Sequence, residues 1–302
     1  MSDDLVLIEK IGRVAVLTLN RPRYRNAQNI ALTHALDRAF SATAQDDDVG
    51  VIVLAGAGDH FSAGHDIGTP GRDIHLPFDR IATNWYGHAD KPPSEATFVR
   101  EAEAYLGMCR RWRDLPKPTI ARVQGACIAG ALMLAWSCDL IIASDDAFFA
   151  DPVVRMGLPG VELFAHPFMM SPRKAKEFLF LGEKVSAAEA LAMGMVNRVV
   201  PRAELESATL DIATRIATMP RFALALTKKA VNQAEDRMGL RDSIDAAYGL
   251  HHLAHAHNAL SSPDYLAGHD AKSMKQALAT PVAASVDAAP AAVQARKPKG
   301  AP

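Results

Sequence analysis

Apolar and polar positions follow two different periods along the first two hundred residues. Residues 5–11 and 14–19 alternate with period two about Gly12-Arg13, which predicts a β-hairpin with a glycine turn. Residues 51–55 are apolar without alternation, as a parallel strand covered on both faces must be. Residues 119–123 read the same way, and shorter strands are predicted at 140–143, 147–150 and 196–200. Between them the period lengthens to that of a helix over 30–44, 98–113 and 131–136. Helices over 172–181 and 186–193 carry Ser171 and Ser186 as predicted N-caps. From Arg202 the pattern is helical alone, over 202–218, 221–236, 240–257 and 263–277. Residues 68–97 show no period and predict a long loop, a candidate lid.

Strands alternating with helices, then helices alone, predict an α/β core over 1–200 and a helical C-terminal region over 201–278. The Ala-, Pro-, Val- and Lys-rich stretch 279–302 has little to bury and is expected to be disordered. With 49% apolar and 22% charged residues, the core can be sizeable. A formal net charge of -1 argues against nucleic acid as a partner. Cys109, Cys127 and Cys138 sit in apolar contexts without metal-ligand spacing and read as core thiols of a reducing compartment. The acidic start leads directly into a strand, and no apolar run reaches the ~18 residues of a membrane span. These readings together predict a cytoplasmic protein without membrane contact.

Two glycine-bearing loops follow two of the apolar strands. The first runs Gly56-Ala-Gly-Asp-His-Phe-Ser-Ala-Gly-His-Asp66; the second passes Gly125 and Gly130 into the helix at 131. A strand that opens a helix through small residues leaves backbone N–H groups free to face a ligand. The first loop offers the N–H of His65 and the second that of Gly130. Two such donors on one carbonyl oxygen stabilise an oxyanion or enolate by about 3–4 kcal/mol each. The alternative is that the glycines serve only close helix–strand packing.

At these loops the chain resembles the crotonase (enoyl-CoA hydratase/isomerase) superfamily. The matching segments are 19–27, 61–67, 123–139, Phe149-Ala-Asp-Pro152, Met156-Gly-Leu-Pro-Gly160 and 187–198, in family order. The resemblance implies a ββα spiral core with a helical trimerisation region, a trimer or dimer of trimers, and acyl-CoA thioesters as ligands. It implies that the peptide N–H groups of His65 and Gly130 form the oxyanion hole. It also implies that Arg25, Ala27, Ala63, Asp66 and Ile67 lie along the bound coenzyme A. The loop arginines Arg21, Arg23 and Arg25 are candidate phosphate contacts, with a solvated turn as the alternative. No separate cofactor is expected, since coenzyme A is part of the substrate.

The chain departs from that family where its hydratases carry two glutamates. The corresponding positions here are Met133 and Val153, and neither side chain can move a proton. Asp151, beside the second of them, and Glu162, at the expected start of a helix, are the candidate replacements; a salt bridge or cap is the alternative for each. The side chain of His65 is expected to be a neutral polar loop residue, with a side-chain role as the alternative, and Trp85 and Tyr86 are candidate walls of an aromatic acyl pocket or simple loop anchors. His251 and His255 share a helix face at a spacing zinc can use. No acidic or cysteine ligand lies nearby in sequence, so no metal is expected and an interface or capping role is preferred. The reading that follows is a lyase- or isomerase-type enzyme acting through a thioester enolate. A hydrolase, decarboxylase or dehalogenase-like relative and a noncatalytic coenzyme A binder are the alternatives.

Overall fold

The computed structural model describes residues 4–69 and 73–261. Strands β1 (Val6–Ile11) and β2 (Val14–Leu19) form the expected hairpin, and helix α1 (Ile30–Gln45) follows. Asn29 caps α1 by accepting from the Leu32 N–H, and Asp73 accepts from the N–H groups of Ile30 and Ala31. That buried carboxylate complements the positive end of the helix and ties the following loop to it. Strand β3 (Val51–Gly56) is buried at every position.

Residues 73–92 lack regular structure, but the loop ends earlier than the sequence predicts. Helix α2 (Pro93–Glu101) begins on a proline whose fixed φ suits the first helical position. The predicted helix 98–113 is therefore three pieces: α2, a π-helical turn Ala102–Gly107, and α3 (Met108–Arg113). Glu103, within the π turn, accepts from the N–H groups of Asn84 and Trp85 and anchors the loop.

Strand β4 (Thr119–Val123) leads into β5 (Ala126–Ile128), α4 (Gly130–Trp136), β6 (Leu140–Ser144) and β7 (Phe148–Ala150). A short helix α5 (His166–Met169) precedes α6 (Pro172–Leu181), β8 (Val185–Ser186), α7 (Ala187–Ala192) and β9 (Arg198–Val200). Ser171 and Ser186 cap α6 and α7 as the sequence predicts, the latter in a reciprocal box with Glu189. The last predicted strand starts at Arg198 rather than 196. The N–H groups of Met195 and Val196 still bond back to Ala190 O, which holds them in the turn after α7. Helices α8 (Leu205–Ala217), α9 (Arg221–Arg237) and α10 (Leu240–Ser261) follow. The predicted helix 263–277 and the tail 279–302 lie outside the described residues.

Six strands form one sheet in the order β1-β2-β3-β4-β6-β9, parallel except for the first hairpin. The sequence reading foresees β7 at 147–150 but not its partners in the second sheet, β5-β7-β8, because β5 and β8 are two or three residues long and carry too little pattern to register. The central strands of the main sheet are covered on both faces, while the edge strand β1 is largely exposed. Ala15, Leu17 and Leu19 point into the larger core, while Val14 and Val16 pack with Ala213 and Ala217 of α8. The architecture is mixed α/β, as predicted, and every described element after Val200 is helical.

Candidate active site

The two glycine loops meet. Asn26, fully buried, donates through Nδ2 to the carbonyls of Ala57, His60 and Phe61, clamping the loop after β2 onto the loop after β3. Ser62 and Cys127 bridge the first loop to β5, and Ile128 N–H donates to Ser62 O. Gly64 has a φ of +88°, and a Cβ there would lie 2.5 Å from Ile128 O and 3.1 Å from the Gly130 nitrogen. Only a glycine lets the first loop pass this close to the second. The non-glycine residues with positive φ among the described ones are Arg25, Asn26 and Ala129, and all three lie in these loops. At Ala129 the strained backbone turns the chain from β5 into α4, with Gly130 as its first residue. Hydrogen bonds that fasten the loops use neighbouring amides: Gln28 to Gly64 O, Asp66 to Gln28 O, Ala63 to Arg25 O, Ala129 to Ala150 O. The amides of His65 and Gly130 take no part in that lattice among the described residues.

Beneath the loops opens a cavity of about 1470 Å³. Arg25, Ala27, Ala63, Asp66 and Ile67, the residues expected along coenzyme A, all line it. Asp66 is occupied within its own loop, accepting from Arg21 at 3.1 Å and from the Thr69 N–H and hydroxyl. Burial raises its carboxyl, and these bonds more than reverse that, leaving it below the usual carboxylate range. Arg21 is thereby turned inward. Arg23 and Arg25, with Lys91 and Lys184, remain as cations in the cavity wall.

The structure separates the two candidate carboxylates. Glu162 lines the cavity, 4% exposed, and its Oε2 is 3.1 Å from His65 Nε2. It stands in the irregular segment before α5 rather than at a helix start, so the expected dipole contribution is absent. Burial pushes its carboxyl up, but the charge and hydrogen bond of His65 outweigh that, and it lies below the usual carboxylate range. Asp151 is not among the cavity walls. It is fully buried, with Oδ2 2.9 Å from His166 Nε2 and accepting from Val161 N–H at 3.1 Å. Where the sequence reading expects a candidate catalytic carboxylate, the structure places Asp151 in a buried pair with His166, outside the cavity lining.

The His65 side chain makes contacts of its own in the site. Its ring stacks on Tyr105 at 3.8 Å between centroids, bonds to Glu162, and packs over Gly130. Trp85 and Tyr86 lie off the cavity. They pack on Phe98 and bond to Glu95 respectively, so they anchor the loop. Met133 is buried in α4, and Val153 contributes an apolar patch of cavity wall.

Sequence reasoning missed Glu101. It lies at the end of α2, 5% exposed, facing the cavity together with His251 and His255 of α10. Its Oε2 is 3.5 Å from each of their Nε2 atoms and 3.4 Å from that of His252. Burial raises the Glu101 carboxyl, but interaction with His251 and His255 outweighs that and holds it well below the usual range. His251, opposed by burial but favoured by Glu101, is raised to about 9. A glutamate 150 positions from a histidine pair leaves no local signal; the π turn beside it is the nearest one, since such turns cluster at functional sites.

A carboxylate, an imidazole and two converging loops over a large cavity define an α/β enzyme. The enoyl-CoA hydratase/isomerase family model matches residues 9–77 and 91–265, and the chain belongs to that family. It is 44% identical to EchA13 of Mycobacterium tuberculosis over 255 residues, 82% of this chain and 78% of that protein. A crystal structure of a probable enoyl-CoA hydratase from Mycobacterium smegmatis aligns with TM-score 0.76 and 45% identity, covering 85% of this chain and 96% of that one. An enoyl-CoA hydratase/isomerase from Xanthobacter autotrophicus Py2 aligns with TM-score 0.74 and 31% identity, covering 95% and 99%.

Proposed function

We propose that the cavity binds an enoyl-CoA thioester and that Glu162 moves a proton on its acyl chain while the His65 and Gly130 amides hold the enolate oxygen. The observation that carries this reading is the His65–Glu162 pair at 3.1 Å, a buried but ionised carboxylate in the wall beneath the two loops. Removal of a proton beside the thioester carbonyl places negative charge on the carbonyl oxygen. Two fixed N–H donors stabilise that charge without reorganising. The cations Arg23, Arg25, Lys91 and Lys184 suit the phosphates of coenzyme A.

In this reading Met133 and Val153 stand where hydratases of the family carry their two glutamates. Water addition requires a base on the water and an acid at the α-carbon. A double-bond shift requires one group that removes a proton and returns it elsewhere. A single carboxylate poised on His65 fits the shift better, so isomerisation is the favoured reaction. Hydration is the second reading, supported by the names of the Mycobacterium smegmatis and Xanthobacter relatives. Exposed Phe222, Leu226, Leu253 and Leu260 on α9 and α10 support assembly into a trimer or a dimer of trimers. Among the described residues no helix is long and apolar enough to cross a membrane.

The test is to follow 3-enoyl-CoA isomerisation and crotonyl-CoA hydration in parallel, with the native chain and with Glu162→Gln. The substitution is expected to lower isomerisation by about 10²–10⁴-fold. Native-like turnover of both thioesters by the folded variant would remove Glu162 from the chemistry.

A further inference from the structure

We infer that Glu101, His251 and His255 form a binding site for a divalent transition-metal cation, zinc or a cation of similar coordination, opening onto the cavity. The ligand atoms of these three residues lie within 4.8 Å of one another, drawn from α2 and from successive turns of α10. Their mutual distances are 3.5 Å for each Glu101 Oε2–imidazole Nε2 pair and 3.0 Å between the two Nε2 atoms. A tetrahedral ion with ligand bonds of about 2.0–2.1 Å spaces its ligands roughly 3.3–3.4 Å apart. Charge-assisted N–H···O bonds are shorter, about 2.7–2.9 Å. Glu101 Oε2 accordingly has no hydrogen-bond partner among the described residues although it is buried and three imidazoles surround it.

The tautomers agree with this assignment. His251 Nδ1 lies 2.9 Å from Gly160 O, and only a protonated Nδ1 can donate to a carbonyl. An incoming cation that displaces the Nε2 proton would meet a lone pair aimed at Glu101 and His255, while Nδ1 keeps its bond to Gly160 O. A backbone carbonyl orienting the far nitrogen of a ligand histidine is the usual support for a metal-bound imidazole. Two imidazole nitrogens 3.0 Å apart repel each other unless a proton or a cation lies between them, and the adjacent carboxylate favours the larger positive charge. His252 approaches the same oxygen from the other side, where Phe98 and Tyr248 pack around its ring, and it lies outside the set of mutually close ligands.

Two imidazoles and one carboxylate suit zinc or iron rather than magnesium or calcium, which prefer oxygen throughout. Three protein ligands leave at least one position open, as in catalytic rather than structural sites. Glu101, His251 and His255 all line the cavity, so that open position faces whatever the cavity holds. The assignment does not rest on the enoyl-CoA reading.

Metal binding tests it directly. The full-length protein, stripped with a chelator, is titrated with zinc chloride by calorimetry and dialysed for metal analysis. One zinc per chain is expected. Loss of a residue that merely orients a ligand already weakens metal sites 10–100-fold, so Glu101→Gln and His255→Gln should each weaken binding by more than about 100-fold. His257→Ala, an exposed histidine of the same helix, should leave it unchanged. Circular dichroism establishes that each variant is folded. If His251→Gln fails to fold, the other two variants still decide. Absence of saturable one-to-one binding overturns the proposal and leaves a shared proton between the histidines. Binding that survives both Glu101→Gln and His255→Gln overturns it equally, because the zinc then lies elsewhere.

Discussion

The imidazole of His65 lies against Gly130 so closely that a Cβ built there would be 2.5 Å from its Cε1 and 2.7 Å from its Nδ1. Gly130 is thus dictated by the ring opposite rather than by its own backbone, which is not in the left-handed region. Gly130→Ala is expected to cost about 1–3 kcal/mol, as overpacking does. Much of that should return in a chain that also carries His65→Ala. A double-mutant cycle by urea unfolding measures the coupling. Simple additivity of the two substitutions would show that the ring yields freely.

Glu162 owes its low pKa to His65, which overcomes the effect of burial. In His65→Ala that opposition is gone, leaving burial as the largest influence, with Glu101 also raising the carboxyl and His251 lowering it. A carboxyl that must be ionised to act then loses activity at higher pH. The acid limb of kcat/KM should move to higher pH relative to the native protein. A limb that stays in place means that a group other than Glu162 controls it.

Asp151 and His166 are both wholly buried and joined at 2.9 Å. Breaking such a pair by changing one partner costs about 3–5 kcal/mol, because the other is left uncompensated. Asp151→Asn should therefore be markedly destabilised while the folded fraction keeps its kcat. Thermal melting and single-turnover rates separate the two effects. A stable but inactive variant would return Asp151 to the chemistry.

His34 is buried on α1, stacked on Phe78, and burial lowers its pKa to about 4. The unfolded chain binds a proton at this residue near pH 6.5, before the folded chain does. Stability is therefore lost as pH falls from about 6.5 toward 4, and it is retained above that window. Comparison with His34→Asn isolates this contribution: between pH 7 and pH 5 the native protein should lose roughly 1–2 kcal/mol more than the variant. Parallel stability–pH curves for the two proteins would remove His34 from the acid response.

Much of the path to the site was legible in the residues. The apolar runs at β3 and β4 and the glycine loops after them pointed to His65 and Gly130, the family resemblance pointed to the positions expected along coenzyme A, and the loops do meet over one cavity. Short elements were not legible. Strands β5 and β8 and helix α5 are two to four residues long, too few for a period to repeat. Asp151 and Glu162 looked interchangeable as acidic residues near one loop. Burial against His166 in one case and exposure to the cavity beside His65 in the other tell them apart, and both are distances through space.

The sequence by itself determined the alternation of strands and helices, the caps of α6 and α7, and the two hinges where glycine interrupts apolar runs, because each depends on neighbours within a turn or a strand. Only the tertiary structure decided which carboxylates face the cavity. Glu101 meets His251 and His255, and His65 meets Glu162 across 97 positions, through the packing of elements that share no local pattern. Local chemistry is written along the chain, while a site made of side chains from distant elements exists only once burial has brought those elements together.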